Sequence, residues 1–341
     1  MKKMMQAIEV PAPGAAFELV SRPVPEPATD EVLLRVEACG ICHGDALALE
    51  GTYPGLTYPV IPGHEVIGTI VETGSLASST WRLGQRVGVG WHGGHCGQCA
   101  PCRRGDFWHC DHVQTTGLTR NGGYAEYLAA SANVLVEIPE GIPSREGAPL
   151  LCAGNTVYAA LKKSGAKGGD LVGIIGLGGL GHLAVQIAKN LGFRTIALTR
   201  GREKAALAKR LGAHHVIDAG GGSAASELKS LGGARFMLCT APNSRLIAEL
   251  LPGLDRGGKM TVVSFSRGMI EIPHALLLGE ALLLEGTAGG RMEEALRFCE
   301  MAGILPMVEE FPLSGAPEAF RRMMEAMVHF RAVLTMGGDH E

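Results

Sequence analysis

LVGIIGLGGLGHLAVQIAKNLG, residues 171–192, is the stretch that decides the fold, because it joins an apolar run, a glycine-rich turn and a helical pattern. LVGII predicts a strand, and residues 182–192 predict a helix that ends at a glycine. The turn between them fits the G-x-G-x-x-G spacing, in which backbone amides and a helix N-terminus approach a pyrophosphate. A tight turn without a ligand is the alternative, but the strand before and the helix after favour a dinucleotide site. The residues of this candidate site are Gly176, Gly178, Gly179, Leu180 and Gly181.

Five further strand patterns follow this stretch, with helical patterns between most of them. They are RTIALT (194–199), HHVID (214–218), RFMLCT (235–240), KMTVVSF (259–265) and ALLLEGT (281–287). Six strands joined by helical crossovers predict an α/β domain with a doubly wound parallel sheet, the Rossmann arrangement.

The residues before this domain have a different texture, with short strand patterns separated by glycine and proline. These patterns predict a mostly-β first domain of roughly 150 residues. The last part of the chain returns to short mixed elements and ends on a strand-like RAVLTM (331–336). The strand patterns of the first domain are EVLLRVEA (31–38), VIGTIVETG (66–74), QRVGVG (85–90) and YAEYLAA (124–130).

Composition and charge restrict the class of protein. The 341 residues carry a net charge of −3, which argues against nucleic-acid or membrane-surface binding through electrostatics. The start of the chain, MKKMMQAIEVPAPG, has no sustained apolar core, so we read it as mature protein and expect a cytoplasmic location. Nine cysteines are an odd number, and without an export signal they favour metal or catalytic use over disulfides.

The end of the second strand of the Rossmann domain indicates which dinucleotide is preferred. An NAD site usually has Asp or Glu there, on the ribose 2′-hydroxyl. This chain has Thr199 and Arg200, followed by Arg202 and Lys204. A hydroxyl and cationic side chains suit a 2′-phosphate, so we predict NADP(H) in preference to NAD(H). The alternative is a solvated basic helix start with Glu203 reaching over from the side.

HCGQCAPCRRGDFWHC contains four cysteines with the spacing C-x2-C-x2-C-x7-C. Four thiolates on a short, loop-rich excursion suit a closed tetrahedral zinc site. An iron–sulfur cluster is the second possibility, and a pair of disulfides is the third. We expect the flanking His95, His109 and His112 to be solvated rather than ligands. The four cysteines are Cys96, Cys99, Cys102 and Cys110.

Three more potential ligands are spread along the chain. Cys42 lies in ACGICHGD, His64 lies in PGHE, and Cys152 lies in LLCAG. Two thiolates and one imidazole would leave a fourth metal position open, the Cys2His set that the catalytic zinc of alcohol dehydrogenase illustrates. The residues alone do not establish that these segments meet.

The order of the motifs carries a resemblance to a known family. CHGDALALEG (42–51), PGHE (62–65), the four-cysteine lobe, NGGYAEY (121–127), LLCAGNTVY (150–158) and GLGGLGHLAVQIAK (176–189) succeed one another here. In this order they resemble the zinc-dependent medium-chain alcohol dehydrogenases, nearest to the yeast-like and cinnamyl-alcohol-type branches. The resemblance implies a GroES-like catalytic domain at 1–151 and 292–341, with a structural zinc lobe at 92–112, and a Rossmann cofactor domain at 152–291.

The resemblance also implies roles at the open site. Cys42, His64 and Cys152 would hold a catalytic zinc ion. Asp45 would accept a hydrogen bond from the His64 ring and orient it. Glu65 would lie behind the metal and exchange onto it.

Cofactor and substrate contacts follow from the same resemblance. His43 would contact the pyrophosphate, Thr156 would lie near the nicotinamide, and Arg331 would contact the cofactor phosphates. Trp91 and Tyr53 match aromatic positions that line the substrate pocket, and both are also compatible with ordinary core positions.

The implied activity is interconversion of alcohols with aldehydes or ketones by hydride transfer, most simply reduction of an aldehyde with NADPH. The family's usual proton relay has a Ser or Thr followed by a histidine, where this chain has Gly44 and Leu47. A water chain through the space that Gly44 vacates is the reading we favour at this point. The alternatives are relay by His43 or His92, or reduction of a conjugated C=C bond.

A non-enzymatic role is the remaining alternative. The family includes structural proteins and NADPH-binding sensors, which need no open zinc site. We expect small-molecule substrates and a homodimer or homotetramer, with the apolar edge between KMTVVSF and ALLLEGT as a plausible contact surface.

Overall fold

The computed structural model describes residues 3–201, 203–287 and 289–337. The chain forms two compact units. The first ends at Cys152 and resumes at Leu305, and the second is Ala153–Ile304. None of the helices in the described ranges is both long enough and apolar enough to cross a membrane.

The first unit is built mainly from β-strands, as its strand patterns predict. Its strands up to Cys152 are β1 Met4–Glu9, β2 Glu18–Pro23, β3 Glu31–Gly40, β4 Val66–Thr73, β5 Arg86–Val89, β6 His92–Gly94, β7 Gln114–Thr115, β8 Tyr127–Ser131 and β9 Val136–Glu137. Its helices in this range are short: α1 Ala46–Glu50, α2 Ala100–Arg103 and α3 Ser144–Gly147.

The second unit contains the predicted six-stranded parallel sheet. In this sheet LVGII has the second and third predicted strands on one side and the fourth, fifth and sixth on the other. This is a doubly wound arrangement. The strands are β10 Leu171–Ile175, β11 Arg194–Thr199, β12 His215–Asp218, β13 Ala234–Cys239, β14 Leu254–Val262 and β15 Leu283–Gly286. The helices are α4 Ala153–Lys162, α5 Gly181–Asn190, α6 Ala205–Leu211, α7 Ala224–Ser230, α8 Ser244–Leu250, α9 His274–Glu280 and α10 Met292–Ala302.

The chain then returns to the first unit with β16 Val308–Pro312, α11 Ala316–Met324 and β17 Arg331–Thr335. β17 pairs antiparallel with β3, and β3 pairs with β4 and β8, so the end of the chain completes the large sheet of this unit. A buried apolar cluster that includes Ile8, Leu34, Ile70 and Leu334 forms the core beneath this sheet.

The boundary between the units differs from our expectation at one point. We placed the return to the first domain at residue 292, whereas α10 belongs to the second unit and packs against α4. Tyr158 of α4 and Phe298 of α10 have ring centroids 5.1 Å apart. The apolar face of α10 is therefore buried within the Rossmann unit, and the chain leaves that unit after Ile304.

Candidate functional site

The pairing of β3 with β4 brings the first two potential ligands together. The strands are antiparallel, with Cys39 opposite Val66. Cys42 follows the end of β3 and His64 precedes the start of β4, so both lie at the same edge of the sheet. Cys152 reaches this edge directly after a 3-10 helix, Ala148–Leu151, whose residues are buried.

The ligand atoms of Cys42, His64, Glu65 and Cys152 all lie within 4.8 Å of one another. The two Sγ atoms are 4.0 Å apart. His64 is 1% exposed, and its Nε2 has no hydrogen-bond partner among the described residues. An unpaired buried nitrogen beside two thiols is unfavourable by itself. The donor set fits a tetrahedral zinc ion with three protein ligands and one further position.

Asp45 fixes the orientation of the His64 ring. Its Oδ1 lies 2.9 Å from His64 Nδ1, and the carboxylate is 2% exposed. With the proton of the imidazole on Nδ1, the lone pair of Nε2 points to the two thiols. Asp45 Oδ2 accepts a hydrogen bond from the Cys42 amide at 2.8 Å. The orienting contact that the resemblance implies for Asp45 is therefore present.

Tyr124 is a residue of this site to which we gave no role from the sequence. It is fully buried, and its hydroxyl donates a 2.8 Å hydrogen bond to Asp45 Oδ2. The motif NGGYAEY can be recognised in the sequence, but Tyr124 and Asp45 are 79 residues apart, and only the fold brings them into contact. The result is a buried series of phenol, carboxylate and imidazole.

Replacing Tyr124 with Phe tests this series, because the ring packing stays and only the hydroxyl is lost. We expect metal to leave the site roughly 3–10-fold faster, somewhat less than the 10–100-fold typical of direct partners of a ligand. Metal release to a chromogenic chelator measures it. Tyr127→Phe is the control, since that hydroxyl contacts Lys3 instead. Equal release rates from the two variants would contradict the role of Tyr124.

The electrostatics of the cluster favour a thiolate. The hydrogen bond from Cys152 holds the pKa of Cys42 well below its usual value, and His64 and Arg331 act in the same direction against the effect of burial. Burial alone would lower the pKa of His64, but Asp45 and Cys42 raise it above its usual value. A low-pKa thiolate is the form in which cysteine binds a metal.

Glu65 and Arg331 form a fully buried ion pair that the sequence did not reveal. Arg331 Nη2 lies 2.6 Å from each carboxylate oxygen of Glu65 and 3.0 Å from the Ile41 carbonyl oxygen. A Cβ at Gly40 would lie only 1.9 Å from Glu65 Oε2, so glycine is required there to make room for the carboxylate. Burial raises the pKa of Glu65 to about 7, although Arg331 lowers it.

The space beside Gly44 is filled rather than vacant. A Cβ on Gly44 would lie 2.8 Å from Trp91 Cζ3 and 3.2 Å from His64 Cε1. The prediction of a water chain through space that Gly44 vacates is therefore wrong, because the indole of Trp91 occupies it. Trp91 and Tyr53 do lie together, with ring centroids 6.0 Å apart.

The proposed relay through His92 also finds no contact to support it. His92 Nε2 lies 3.0 Å from His95 Nδ1, and His92 Nδ1 is buried without a partner among the described residues. Both rings pack with the aromatic residues of the four-cysteine lobe: His95 stacks on Phe107 with centroids 4.1 Å apart. His95 is thus half-buried against Phe107 rather than fully solvated as we expected, while His109 and His112 are exposed.

The four lobe cysteines converge as their spacing predicts. Their sulfur atoms lie within 4.8 Å of one another, and all nine cysteines of the chain lie in the described ranges as free thiols. Backbone hydrogen bonds from Gln98 and Cys99 lower the pKa of Cys96 to about 6. Four sulfurs without an open position fit a closed structural zinc site, and they do not form the disulfides that were our third possibility.

The glycine-rich turn has the backbone that a pyrophosphate site requires. Gly176 has φ of +93°, a conformation that favours glycine. A Cβ on Gly181 would lie 1.9 Å from the Gly176 carbonyl oxygen, so only glycine lets α5 start this close to the strand. A Cβ on Gly178 would meet nothing within 4 Å, which leaves its face of the turn open.

Of the cationic residues after β11, Lys204 contacts this turn. Arg200 and Lys204 are exposed, and Lys204 Nζ donates to the Leu177 carbonyl at 3.1 Å. Thr199 is buried and its hydroxyl donates to the Gly201 carbonyl at 3.0 Å. Arg202 lies outside the described residues. No acidic side chain stands at residues 199–201.

The other cofactor candidates lie in separate parts of the chain. His43 is an exposed residue of the first unit, in a 3-10 helix directly after Cys42. Thr156 is a half-buried residue of α4 in the second unit. The contacts of both with a cofactor, and that of Arg331 with the cofactor phosphates, stay predictions.

The class that this fold and site define is a two-domain dehydrogenase with a GroES-like domain and a Rossmann domain. The family model "Alcohol dehydrogenase GroES-like domain" matches residues 28–140, and the model "Zinc-binding dehydrogenase" matches residues 179–301.

Individual relatives agree with the family models over the whole chain. The chain is 42% identical over 326 residues to alcohol dehydrogenase patD of Penicillium expansum, covering 95% of each chain. It is 37% identical to an alcohol dehydrogenase of Geobacillus stearothermophilus, covering 98% of this chain and 96% of the other. A cinnamyl alcohol dehydrogenase structure from Sorghum bicolor matches with a TM-score of 0.88 at 27% identity, covering 99% of each chain.

The chain therefore belongs to the zinc-dependent medium-chain alcohol dehydrogenases, and it is an oxidoreductase that acts on alcohols.

Proposed function

We propose that this protein interconverts primary alcohols and aldehydes by hydride transfer with NADP(H), using one catalytic and one structural zinc ion per chain. The observation that carries the proposal is the buried, unpartnered Nε2 of His64 beside the thiols of Cys42 and Cys152. This donor set has one position left for a substrate oxygen.

Each residue of the site has a distinct task in this proposal. Cys42, His64 and Cys152 would hold the catalytic zinc, which as a Lewis acid supplies polarisation of the substrate oxygen. Asp45 keeps the His64 lone pair directed at the metal position. Glu65, paired with Arg331, lies at the back of the site.

The four-cysteine lobe would hold the second zinc ion. Its sulfurs form a closed set, and two of the loop amides already donate to sulfur: Cys96 N to Cys110 Sγ at 3.3 Å and Cys99 N to Cys96 Sγ at 3.4 Å. Such hydrogen bonds stabilise thiolates. The role of this ion is to order the loop, since no position remains for a substrate.

The cofactor proposal rests on the end of β11. NADP(H) supplies or accepts the hydride when bound. A 2′-phosphate would meet the cations of Arg200 and Lys204, where an NAD site usually offers a carboxylate. Two carboxylates also lie near Gly201: Asp218 Oδ1 accepts hydrogen bonds from the Gly201 and Gly220 amides at 3.0 and 2.9 Å, and Glu203 Oε2 would lie 2.3 Å from a Cβ built on Gly201.

Reduction of a conjugated C=C bond is the second candidate. Trp91 occupies the space beside Gly44, so no hydroxyl side chain is present there to hand a proton to the reacting oxygen. Hydride addition to the far carbon of an enal is completed by protonation at carbon, and this step needs no relay to the oxygen.

A panel of aldehydes, ketones, enals and alcohols, assayed with NADPH and NADH in parallel, tests these proposals. We expect aldehyde reduction with a kcat/KM for NADPH at least roughly 10-fold above that for NADH, because the cations of Arg200 and Lys204 would favour a 2′-phosphate. A clear preference for NADH would contradict the cofactor proposal. Saturation of the enal double bond with the carbonyl left intact would select the second candidate.

Metal analysis of the same preparation separates an enzyme from a sensor or structural protein. About two zinc ions per chain together with turnover is the expected result. About one zinc ion and no turnover on the whole panel would contradict the enzyme and favour an NADPH-binding sensor.

A homodimer or homotetramer is our proposal for the assembly. β15 is the outer strand of the parallel sheet, and large apolar side chains nearby are exposed: Phe265, Met269, Leu278 and Leu283. An apolar sheet edge is a surface that proteins usually cover. Light scattering tests the proposal, and a monomer mass at all concentrations would contradict it.

The free cysteines suit the reducing cytoplasm that we propose as the location.

A further inference from the structure

Gly44, Trp91 and His64 make a three-residue contact that the proposed chemistry leaves unexplained. A Cβ on residue 44 would lie 2.8 Å from Trp91 Cζ3, 3.5 Å from Trp91 Cη2 and 3.2 Å from His64 Cε1. Real Cβ atoms essentially never come as close to another heavy atom as 2.8 Å. Gly44 has no left-handed backbone that would require glycine. Residue 44 is therefore restricted to glycine by the side chains of Trp91 and His64 and not by its backbone conformation.

The Trp91 ring is held in this position from several sides. Its edge meets the ring of His64, with centroids 4.8 Å apart and planes at 81°. Tyr53 makes a second edge contact with centroids 6.0 Å apart, and the Tyr53 hydroxyl is itself fixed by a 2.8 Å hydrogen bond with Thr115. The backbone of Trp91 accepts a hydrogen bond from the Thr116 amide at 3.0 Å.

The ring also packs against an apolar cluster of its own unit. The buried members of this cluster are Val10, Ala48, Val60 and Leu118, with Leu47 and Leu49 among the partly buried ones. Movement of the indole away from residue 44 would break these contacts. A side chain at residue 44 would therefore displace an anchored ring, and would press on His64 at the same time.

We propose that Gly44 and Trp91 are a size-matched pair, in which the indole takes the place of a residue-44 side chain and positions the His64 ring. Asp45 holds the ring through Nδ1, and Trp91 packs across it, so that Nε2 keeps its direction. The pairing itself is independent of the proposed function. Its catalytic consequence, that Trp91 keeps a hydroxyl at residue 44 away from the reacting oxygen, rests on that function.

A double-mutant cycle in thermal stability tests the pairing without any assay of activity. Gly44→Ala is expected to lower the thermal midpoint by roughly 2–6 °C in the presence of Trp91, as overpacking does. In a Trp91→Ala background the same change should leave the midpoint equal or raise it slightly, because Ala restricts the unfolded chain. Trp91→Leu replaces Trp91→Ala if the latter does not fold.

The chain has three tryptophans, so 5-fluorotryptophan NMR can follow Trp91 directly after assignment with Trp91→Phe. Gly44→Ala should shift the Trp91 resonance and leave the resonances of Trp81 and Trp108 in place. Equal effects of Gly44→Ala on the midpoint in both backgrounds, with no shift of the Trp91 resonance, would overturn the size-matched pair.

A kinetic comparison of Ser and Ala at residue 44 tests the catalytic consequence. With Trp91 present, Gly44→Ser and Gly44→Ala should both lower kcat for alcohol oxidation to a similar level, since neither side chain fits. In the Trp91→Ala background, Gly44→Ser should exceed Gly44→Ala in kcat by roughly 10-fold or more, because the hydroxyl can then reach the oxygen. KM should change equally in the two, since they differ by one oxygen atom.

The stability cycle and the kinetic comparison can be contradicted independently of each other. Higher turnover from Gly44→Ser with Trp91 in place, or equal turnover of Ser and Ala in the Trp91→Ala background, would overturn the consequence for the hydroxyl. A coupled cycle in the thermal midpoint would still support the pair. If no variant and no wild-type preparation turns over any alcohol, the proposed function fails, and the stability cycle still decides the pair.

Discussion

Cys152→Ser is expected to reduce alcohol turnover by roughly 1,000-fold or more, because a hard hydroxyl replaces one of the two thiolates proposed to hold the catalytic zinc. The zinc content should fall from about two to about one ion per chain, since the four-cysteine lobe is untouched. Cys42 Sγ then loses the neighbour 4.0 Å away that stabilises its thiolate form. Kinetics and metal analysis of the same preparation measure both effects.

The loss should be local to the site. Cys152 follows a buried 3-10 helix, and serine is close to cysteine in size, so the sheet that carries Cys42 and His64 has no reason to change. Cys299→Ala is the matched control: this thiol is nearly inaccessible, at 1% exposure, and it lies on α10 and belongs to neither cysteine cluster. It should keep about two zinc ions and full turnover.

Retention of both zinc ions by Cys152→Ser would contradict the assignment of the open site. Loss of both ions, with loss of the fold, would mean that the thiol acts mainly in structure. The expected result is that Cys152→Ser loses one zinc ion and keeps the circular dichroism spectrum of the wild type. This result requires two independent metal positions.

The Rossmann unit is the part of the fold that the sequence predicts best. Leu171–Ile175 and Arg194–Thr199 begin and end at the predicted residues, because each is a short apolar run bounded by glycine or charge. β14 is longer than KMTVVSF predicts and starts at Leu254. Its first residues are polar and glycine-rich, with a register shift where it pairs with β13, and hydrophobic pattern does not detect such an irregular start.

At the candidate site, sequence reasoning named the candidate ligands that the structure brings together and missed what surrounds them. The ligands have distinctive residue types, and the order of their motifs is specific. The contacts of Tyr124 with Asp45, of Trp91 with Gly44 and of Arg331 with Glu65 join ordinary residue types over long separations in the chain. They depend on which strands pair, and a single sequence gives no measure of that. From the sequence, Gly44 therefore indicated empty space, whereas in the structure the Trp91 ring fills the space beside it.

The buried pair of Glu65 and Arg331 leads to the largest expected effect on stability. Both side chains are at most 5% exposed, and the ion pair joins β17, near the end of the chain, to the residue that precedes β4. Removing one partner of a buried pair leaves the other without compensation inside the protein. Arg331→Met removes the charge and keeps much of the apolar stem.

We expect Arg331→Met to lower the free energy of unfolding by about 3–5 kcal/mol, measured by urea unfolding of the zinc-loaded protein. Glu65→Gln should also destabilise, because the guanidinium then lacks its carboxylate. The double variant Glu65→Gln/Arg331→Met should be less destabilised than the sum of the two, since no uncompensated charge remains. Additive effects of the single changes would mean that the two residues do not act as a pair.

Arg145→Met is the matched control for the arginine. Arg145 Nη1 also lies 2.6 Å from a carboxylate, that of Glu310, but the two side chains are 52% and 43% exposed. Water screens such a pair, so its removal should change the free energy of unfolding by less than about 1 kcal/mol. Arg145 Nε lies 2.7 Å from a second carboxylate, that of Glu146, so the comparison sets a buried arginine against a half-exposed arginine that also has carboxylate partners. Equal losses from Arg145→Met and Arg331→Met would contradict the assignment of the large effect to the buried carboxylate.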